Sequence, residues 1–265
     1  MRLLRVLLAV ILVSGCTPPP SSSSTSQKAA WRLVWADEFA GKTIDRALWS
    51  IRDGEGRDID LGCNVDDPAN AYIRYGFLVL RGLRKTVHCG KTTRDFTQAY
   101  LDTIGRHSWT YGRFEIRAKS PASTGTWPAF WLRPEDGGKG EIDVVELPGG
   151  AKWRDKATAA IFYDYTPVKQ DKRIAIPGGG VPGDGFHTYA TEWTPTSLTW
   201  FIDGRQVWRR DKRTTPYFDE IFHRPYNLRL NLQVGGWLGT PDAGSPFTAD
   251  FEVDHVRVYQ RSPIV

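Results

Sequence analysis

RFEIRAK, from Arg113 to Lys119, alternates with a period of two: Phe114, Ile116 and Ala118 point one way, and Arg113, Glu115, Arg117 and Lys119 the other. Such alternation sets one face on a core and the other in polar surroundings, which is the pattern of a half-buried β-strand. It returns where Leu228, Leu230, Leu232 and Val234 interleave with Asn227, Arg229, Asn231 and Gln233, and again from Val253 to Tyr259. Two hairpins are legible. One turns at Tyr75-Gly76 between AYIR and FLVLR, the other at Asp203-Gly204 between LTWFI and RQVW, a strong turn dipeptide. Only Asp45 to Trp49 reads as helical, and briefly. Many short strands separated by Gly and Pro, 26 and 17 residues respectively, predict an all-β sandwich or jelly roll more than a barrel.

Outward from these strands the chain divides simply. With 265 residues, 40% of them hydrophobic, it is long enough for one large all-β domain or two small ones. Residues 1–16 read MRLLRVLLAVILVSGC, in which Arg2 and Arg5 precede an apolar run too short to span a bilayer, as in a cleaved leader. Val13-Ser14-Gly15-Cys16 resembles a bacterial lipobox, whose Cys is acylated through sulfur and becomes the new N-terminus. An ordinary secretory peptide with an incidental Cys would keep export and lose the anchor. Either way the protein is expected outside the cytoplasm, and the lipobox reading makes it a membrane-anchored lipoprotein, periplasmic or at the cell surface. Residues 17–30 are rich in Pro, Ser, Thr, Gln, Lys and Ala and read as a disordered tether. Residues 31–265 contain no second linker and no repeat, so one domain follows.

Cys63 and Cys89 remain as an even pair in an oxidising compartment. A disulfide is expected. Two separate thiols are the competing reading, because spacing alone cannot test bridge geometry. The net charge of +5 comes from Lys and Arg scattered among acids, and Arg2 and Arg5 leave with the leader, so nucleic acid is not an expected partner. The five His show no metal-ligand spacing, and a monomer is expected.

The chemistry concentrates in GEIDVVE, Gly140 to Glu146, which packs three carboxylates into an apolar, β-prone strand. In a regular strand Glu141 and Asp143 share a face while Glu146 has the opposite parity. A bulge at Val144-Val145 would correct this, because one extra residue re-aims the side chain that follows. Two carboxyl groups about 5 Å apart suit a retaining glycosidase, in which one attacks the anomeric carbon and the other protonates the leaving oxygen. Glu141 is read as nucleophile, Asp143 as the residue holding its geometry and charge by a hydrogen bond, and Glu146 as the protonated general acid that later serves as base.

The segment resembles the Glu-Ile-Asp-x-x-Glu signature of glycoside hydrolase family 16, of the laminarinase-like and β-glucanase-like kind. WADEFAG (Trp35 to Gly41), YGRFEIRAK (Tyr111 to Lys119), GTWPAFWL (Gly125 to Leu132), FHTYATEW (Phe186 to Trp193) and VDHVRVYQ (Val253 to Gln260) are similar to other family segments in the same order. The resemblance implies a concanavalin-like β-jelly-roll sandwich of two antiparallel sheets with a concave substrate groove, and it implies the same roles for the three acids. No cofactor is expected for catalysis. The family pattern also implies a structural Ca²⁺ on the convex side, with Glu38, Asp254 and a backbone carbonyl near Gly76 at the matching positions, and oxygen ligands suit that hard cation. An unmetallated pair of surface acids is the alternative.

Eleven Trp residues supply aromatic faces of the kind that pack against sugars. Taken singly, a Trp is more often core than platform. Trp127 and Trp131 share strand parity just ahead of the acids, at positions that line the family's cleft, and are read as substrate-binding; so is Trp237, after Gly235-Gly236, on a loop resembling that of β-1,3-glucanases. Asn231 either meets a sugar hydroxyl or is a satisfied sheet residue. Trp193, Trp200 and Trp208 are read as core, and His187 as structural.

Two departures bear on substrate. Where many glucanase relatives carry an Asn-Asn-Glu-Leu-type segment, this chain reads Asp58-Ile59-Asp60-Leu61-Gly62-Cys63-Asn64, and no His follows the signature between Arg154 and Gln170, so Phe162 or Tyr163 is expected in that region. The leading expectation is an endo-acting hydrolase of β-1,3- or mixed β-1,3/1,4-glucan. The same chemistry on agar or carrageenan, or transfer to another sugar, comes second. A non-catalytic lectin comes last, since lectins do not need all three acids.

Overall fold

In the computed structural model, residues 30–153, 155–165, 168–175, 183–242 and 247–261 are described. The leader, Cys16 and the tether through residue 29 lie outside the described residues. The strands in chain order are β1 (Trp31–Asp37), β2 (Ser50–Ile51), β3 (Gly62–Asn64), β4 (Ala71–Arg74), β5 (Phe77–Cys89) and β6 (Thr92–Asp102). Then come β7 (Gly112–Lys119), β8 (Thr126–Pro134), β9 (Glu141–Glu146), β10 (Ala157–Tyr165) and β11 (Val168–Ala175). The chain closes with β12 (His187–Thr194), β13 (Ser197–Ile202), β14 (Arg205–Asp211), β15 (Tyr226–Val234) and β16 (Thr248–Arg261).

One layer runs β11-β10-β9-β8-β15-β6 and the other β5-β16-β7-β12-β13-β14, joined by the long β5–β6 hairpin. Nearly every pairing is antiparallel; β3 beside β6 is parallel. Both expected hairpins are present. Tyr75 and Gly76 have φ of 54° and 79°, and Asp203 and Gly204 have 48° and 76°, so both turns use two left-handed residues, the twist that matches flanking strands.

The core lies between the layers. Phe114, Ile116 and Ala118 of β7 face Leu228, Leu230 and Leu232 of β15 across it, all buried. Trp193 and Trp200, read as core, are buried too, while Trp208 is half-buried against the Trp200 ring. A side chain of this size contributes about 2–3 kcal/mol through burial. His187 is structural as expected: its Nδ1 lies 2.7 Å from Asp203 Oδ2 at the β13–β14 turn.

The helical reading of Asp45 to Trp49 fails. The amides of Leu48 and Trp49 both donate to the Asp45 carbonyl, at 3.2 and 3.0 Å, but the chain enters β2 at Ser50 and no second turn forms. A short helix does form at α1 (Phe218–Ile221), too brief to leave a 3.6-residue period in sequence.

Cys63 and Cys89 are bridged, with Cα atoms 5.8 Å apart. The bond ties β3 to the end of β5 and anchors the segment running from Arg57 to Asn64.

Candidate active site

β9 sits inside the first layer, between β8 and β10, and its register slips on both sides. Against β10, Asp143 faces Ala160 and Glu146 faces Thr158, so three steps along β9 match two along its neighbour. Against β8, Asp143 faces Trp131 and Val145 faces Phe130, which places the extra residue at Val144. The parity change expected from the sequence occurs here, and Glu141, Asp143 and Glu146 all line one groove of about 810 Å³. Trp200, from the opposite layer, donates its indole N–H to the Asp143 carbonyl at 2.8 Å, so a core side chain holds the irregular strand from behind. At the head of β9, Gly140 has φ of 114°, and a Cβ there would lie 2.3 Å from the Tyr226 hydroxyl oxygen and 2.4 Å from Ile221. Only Gly fits.

The three acids are buried side chains with different surroundings. Burial first, then the charges of Glu141 and Glu146, push the Asp143 carboxyl well above the usual carboxylate range; Lys172 pulls the other way. These influences favour a proton on Asp143, which is hydrogen-bonded to Glu141. Arg133 Nη1 stands 3.9 Å from Glu141 Oε2, a second group favouring its charge. Glu146 accepts from Trp127 Nε1 at 3.0 Å through Oε1, and from Thr158 Oγ1 at 2.8 Å and Lys172 Nζ at 2.7 Å through Oε2.

The four residues expected to bind substrate all line the groove, but their polar atoms are differently engaged. The Trp127 N–H is taken by Glu146, and the Arg57 guanidinium lies 4.9 Å from its ring centre, so this Trp positions an acid as much as it offers a face. Trp131 donates to Asn231 Oδ1 at 2.7 Å, and the Asn231 amide reaches the Trp127 carbonyl at 3.4 Å. Asn231 is buried and serves as the bracket between two tryptophans. Trp237 is 46% exposed, the most open face of the three tryptophans. Its loop approaches closely because Gly235 and Gly236 have φ of 93° and 73°; a Cβ on the first would meet Leu61 at 2.5 Å, and one on the second the Trp127 ring at 3.2 Å.

Several groove residues besides Phe162 were not singled out in sequence. Trp153 packs edge-on against Trp237, with ring centres 5.1 Å apart, on a loop whose composition gives no strand parity to read. Arg57, itself exposed, joins the buried Asp60 at 3.1 Å and Gln233 at 2.6 Å, so the departing DIDLGCN segment is pinned through Asp60 while Ile59 stays exposed on the wall. Phe162 faces the groove, whereas Tyr163 turns away to Glu220 at 2.9 Å. Lys172 and Gln170 arrive from β11, a strand with no legible alternation.

On the other layer, Arg257 grips both Glu38 oxygens at 2.7 and 2.8 Å. Asp254 Oδ2 takes Arg117 and His255 Nδ1, each at 3.0 Å. Among the described residues no three His, Cys, Asp or Glu side chains gather as a metal centre.

With this geometry in view, the likenesses to known proteins are informative. Residues 86–255 match the model of glycosyl hydrolases family 16. The chain is 32% identical to a beta-glucanase of Rhodothermus marinus, over 98% of its own length and 95% of that protein's. It is 29% identical to glucan endo-1,3-beta-glucosidase A1 of Niallia circulans over 88% of its length, but spans only 38% of that larger protein. The X-ray structure of the laminarinase from Rhodothermus marinus superposes with a TM-score of 0.77 at 34% identity, covering 88% of this chain and 99% of that one. Two layers of antiparallel strands, a bulged strand bearing three acids in a concave groove, and a family match over most of the folded chain agree: this protein belongs to glycosyl hydrolases family 16.

Proposed function

We propose that the protein is an endo-acting, retaining hydrolase of β-1,3- or mixed β-1,3/1,4-linked glucan. The bulge at Val144 carries the reading, because it sets Glu141, Asp143 and Glu146 along one open groove of about 810 Å³. Glu141 attacks the anomeric carbon, the bond from that carbon to the leaving oxygen breaks, and Glu146 transfers its proton to that oxygen, leaving a glycosyl ester on Glu141. Water then gives a proton to Glu146 while its oxygen displaces Glu141, and two inversions retain the β configuration. Asp143, held protonated by burial and its neighbours, donates to Glu141 and steadies it as attacking group and as leaving group. The glucan assignment draws on the β-glucanase and laminarinase relatives and on the exposed Trp237 face. Incubating the protein with laminarin, lichenan, agarose and carrageenan tests it: new reducing ends are expected from the first two. Binding without new ends would mean a lectin, products longer than the substrate a transferase, and cleavage only of the last two a galactanase. Glu141→Gln is expected to abolish turnover while polysaccharide binding persists.

The same proposal places the enzyme outside the cytoplasm, tethered by an acylated Cys16; the support is the residue pattern of positions 1–16. Cys16→Ser should release it from membranes, and continued sedimentation with them would argue against lipidation. A structural Ca²⁺ would use Glu38, Asp254 and the carbonyl of Gly76, with the two carboxylates already close enough for the charge of Asp254 to act on Glu38. Calcium should then raise Tm by a few degrees and Glu38→Gln should remove the effect; a Tm indifferent to calcium and to EDTA would discard the ion.

A further inference from the structure

Lys172 stands in register with the reacting acids. Across three neighbouring strands Asp143 faces Ala160, and Ala160 faces Lys172, while Glu141, Phe162 and Gln170 form the adjacent row. Ala160 is the smallest side chain that could occupy the middle position, so the lysine stem can cross above it. Its ammonium ends 2.7 Å from Glu146 Oε2 and 5.2 Å from the centre of the Trp237 ring, on the other wall of the groove.

The contact has a stereochemical consequence. A carboxylate oxygen has two in-plane lone pairs, and on Glu146 Oε2 one meets Thr158 and the other Lys172. Thr158 is buried on β10, whereas Lys172 is 30% exposed, so the lysine marks the open direction. On the other oxygen one lone pair meets Trp127, which leaves one of the four in-plane sites open. The glycosidic oxygen that receives the proton approaches Glu146 from the groove, and the ammonium, 2.7 Å from Oε2 on that open side, stands where the hydroxyls of the sugar leaving with it come within reach.

Resting on the reading of Glu146 as acid/base, we propose that Lys172 is the binding residue for the sugar on the leaving-group side. Its ammonium rests on the Glu146 carboxylate and passes to that sugar's hydroxyls when the polymer enters, and Glu146 then takes from solvent the proton it gives to the glycosidic oxygen. A four-carbon stem with three N–H donors allows the exchange without moving the strand, and the resting ammonium already lies within cation–π range of the Trp237 face. When water has given its proton to Glu146 and the product has departed, that proton passes to solvent and the ammonium returns to the carboxylate.

The test compares two substrates in the wild-type, Lys172→Met and Lys172→Arg proteins, each verified by its melting temperature; Lys172→Gln replaces the Met variant if that one does not fold. Laminarin fills both sides of the scissile bond, whereas 4-nitrophenyl β-laminaribioside carries a phenolate in place of the leaving sugar. Lys172→Met is expected to lose about tenfold more kcat/KM on laminarin than on the aryl glycoside, mostly through KM, the signature of lost binding. Lys172→Arg should recover most of that loss. A larger loss on laminarin confined to kcat, with KM unchanged, would show that Lys172 acts only on the acid Glu146, equal losses on both substrates would show no contact with the leaving sugar, and a lower KM for laminarin would show a plug in place of a contact; each overturns the proposal. A wild-type protein inactive on both substrates would instead overturn the hydrolase reading itself.

Discussion

Glu146 illustrates how much of an active site is decided by neighbours far away in sequence. It accepts from Trp127 on β8, Thr158 on β10 and Lys172 on β11, none of which can be paired with it by spacing alone. A hydrogen bond to a charged acceptor contributes about 1.5–3 kcal/mol, so the indole N–H of Trp127 matters independently of its face. Trp127→Phe keeps the face and removes the donor. We expect kcat on laminarin to fall by about 10–100-fold with KM changed little; a rise in KM at unchanged kcat would mean that Trp127 serves as a sugar platform alone. Asp143 shows the same dependence on surroundings: burial, followed by two flanking carboxylates, raises it, and composition could indicate the crowding but not the burial.

At the scale of elements, two features shape the groove. The first is the Val144 bulge, backed by the Trp200 N–H on the Asp143 carbonyl. The parity of three acids in six residues already required such an irregularity if they were to act together, which is why it was legible. The second is the Cys63–Cys89 bridge, closing a loop with a sequence separation of 26 beneath the Arg57–Asp60 corner. Closing a loop of that length removes about 3.5 kcal/mol of unfolded-state freedom in the chain-entropy model. Replacing both cysteines with alanine should lower Tm by about 7–14 °C. A double variant melting within 2 °C of wild type would show that the packed strands alone hold this corner.

For the molecule as a whole, the outer layer carries an ionic ladder that governs its response to acid. Burial pushes the Glu115 carboxyl up, but His255 and the Arg113 guanidinium, the latter 2.7 Å away, outweigh it and bring the group down to about 2 from its ordinary 4.5. Because the folded value is the lower one, this contribution is present above about pH 4.5 and disappears as pH falls toward 2. The shift corresponds to about 3 kcal/mol. Glu115→Gln should therefore be less stable than wild type at pH 7, and its stability should fall less steeply between pH 4.5 and 2, as read from urea melts at each pH. Parallel curves for the two proteins would remove Glu115 from the acid response.

The residue order by itself determined the all-β class, both two-residue hairpins, the buried faces of β7 and β15, the three acids and the need for a bulge between them. Each follows from local rules, namely side-chain alternation, turn chemistry and strand parity, and these act over a few residues. Only the tertiary structure decided that Trp127 holds Glu146, that Asn231 bridges two tryptophans, that Trp153 and Lys172 enter the groove, and that Asp45 to Trp49 makes one turn and no helix. The reason is physical: those outcomes depend on which strands lie side by side across the sheet and what each buries, and strand neighbours far apart along the chain leave no periodic trace in sequence.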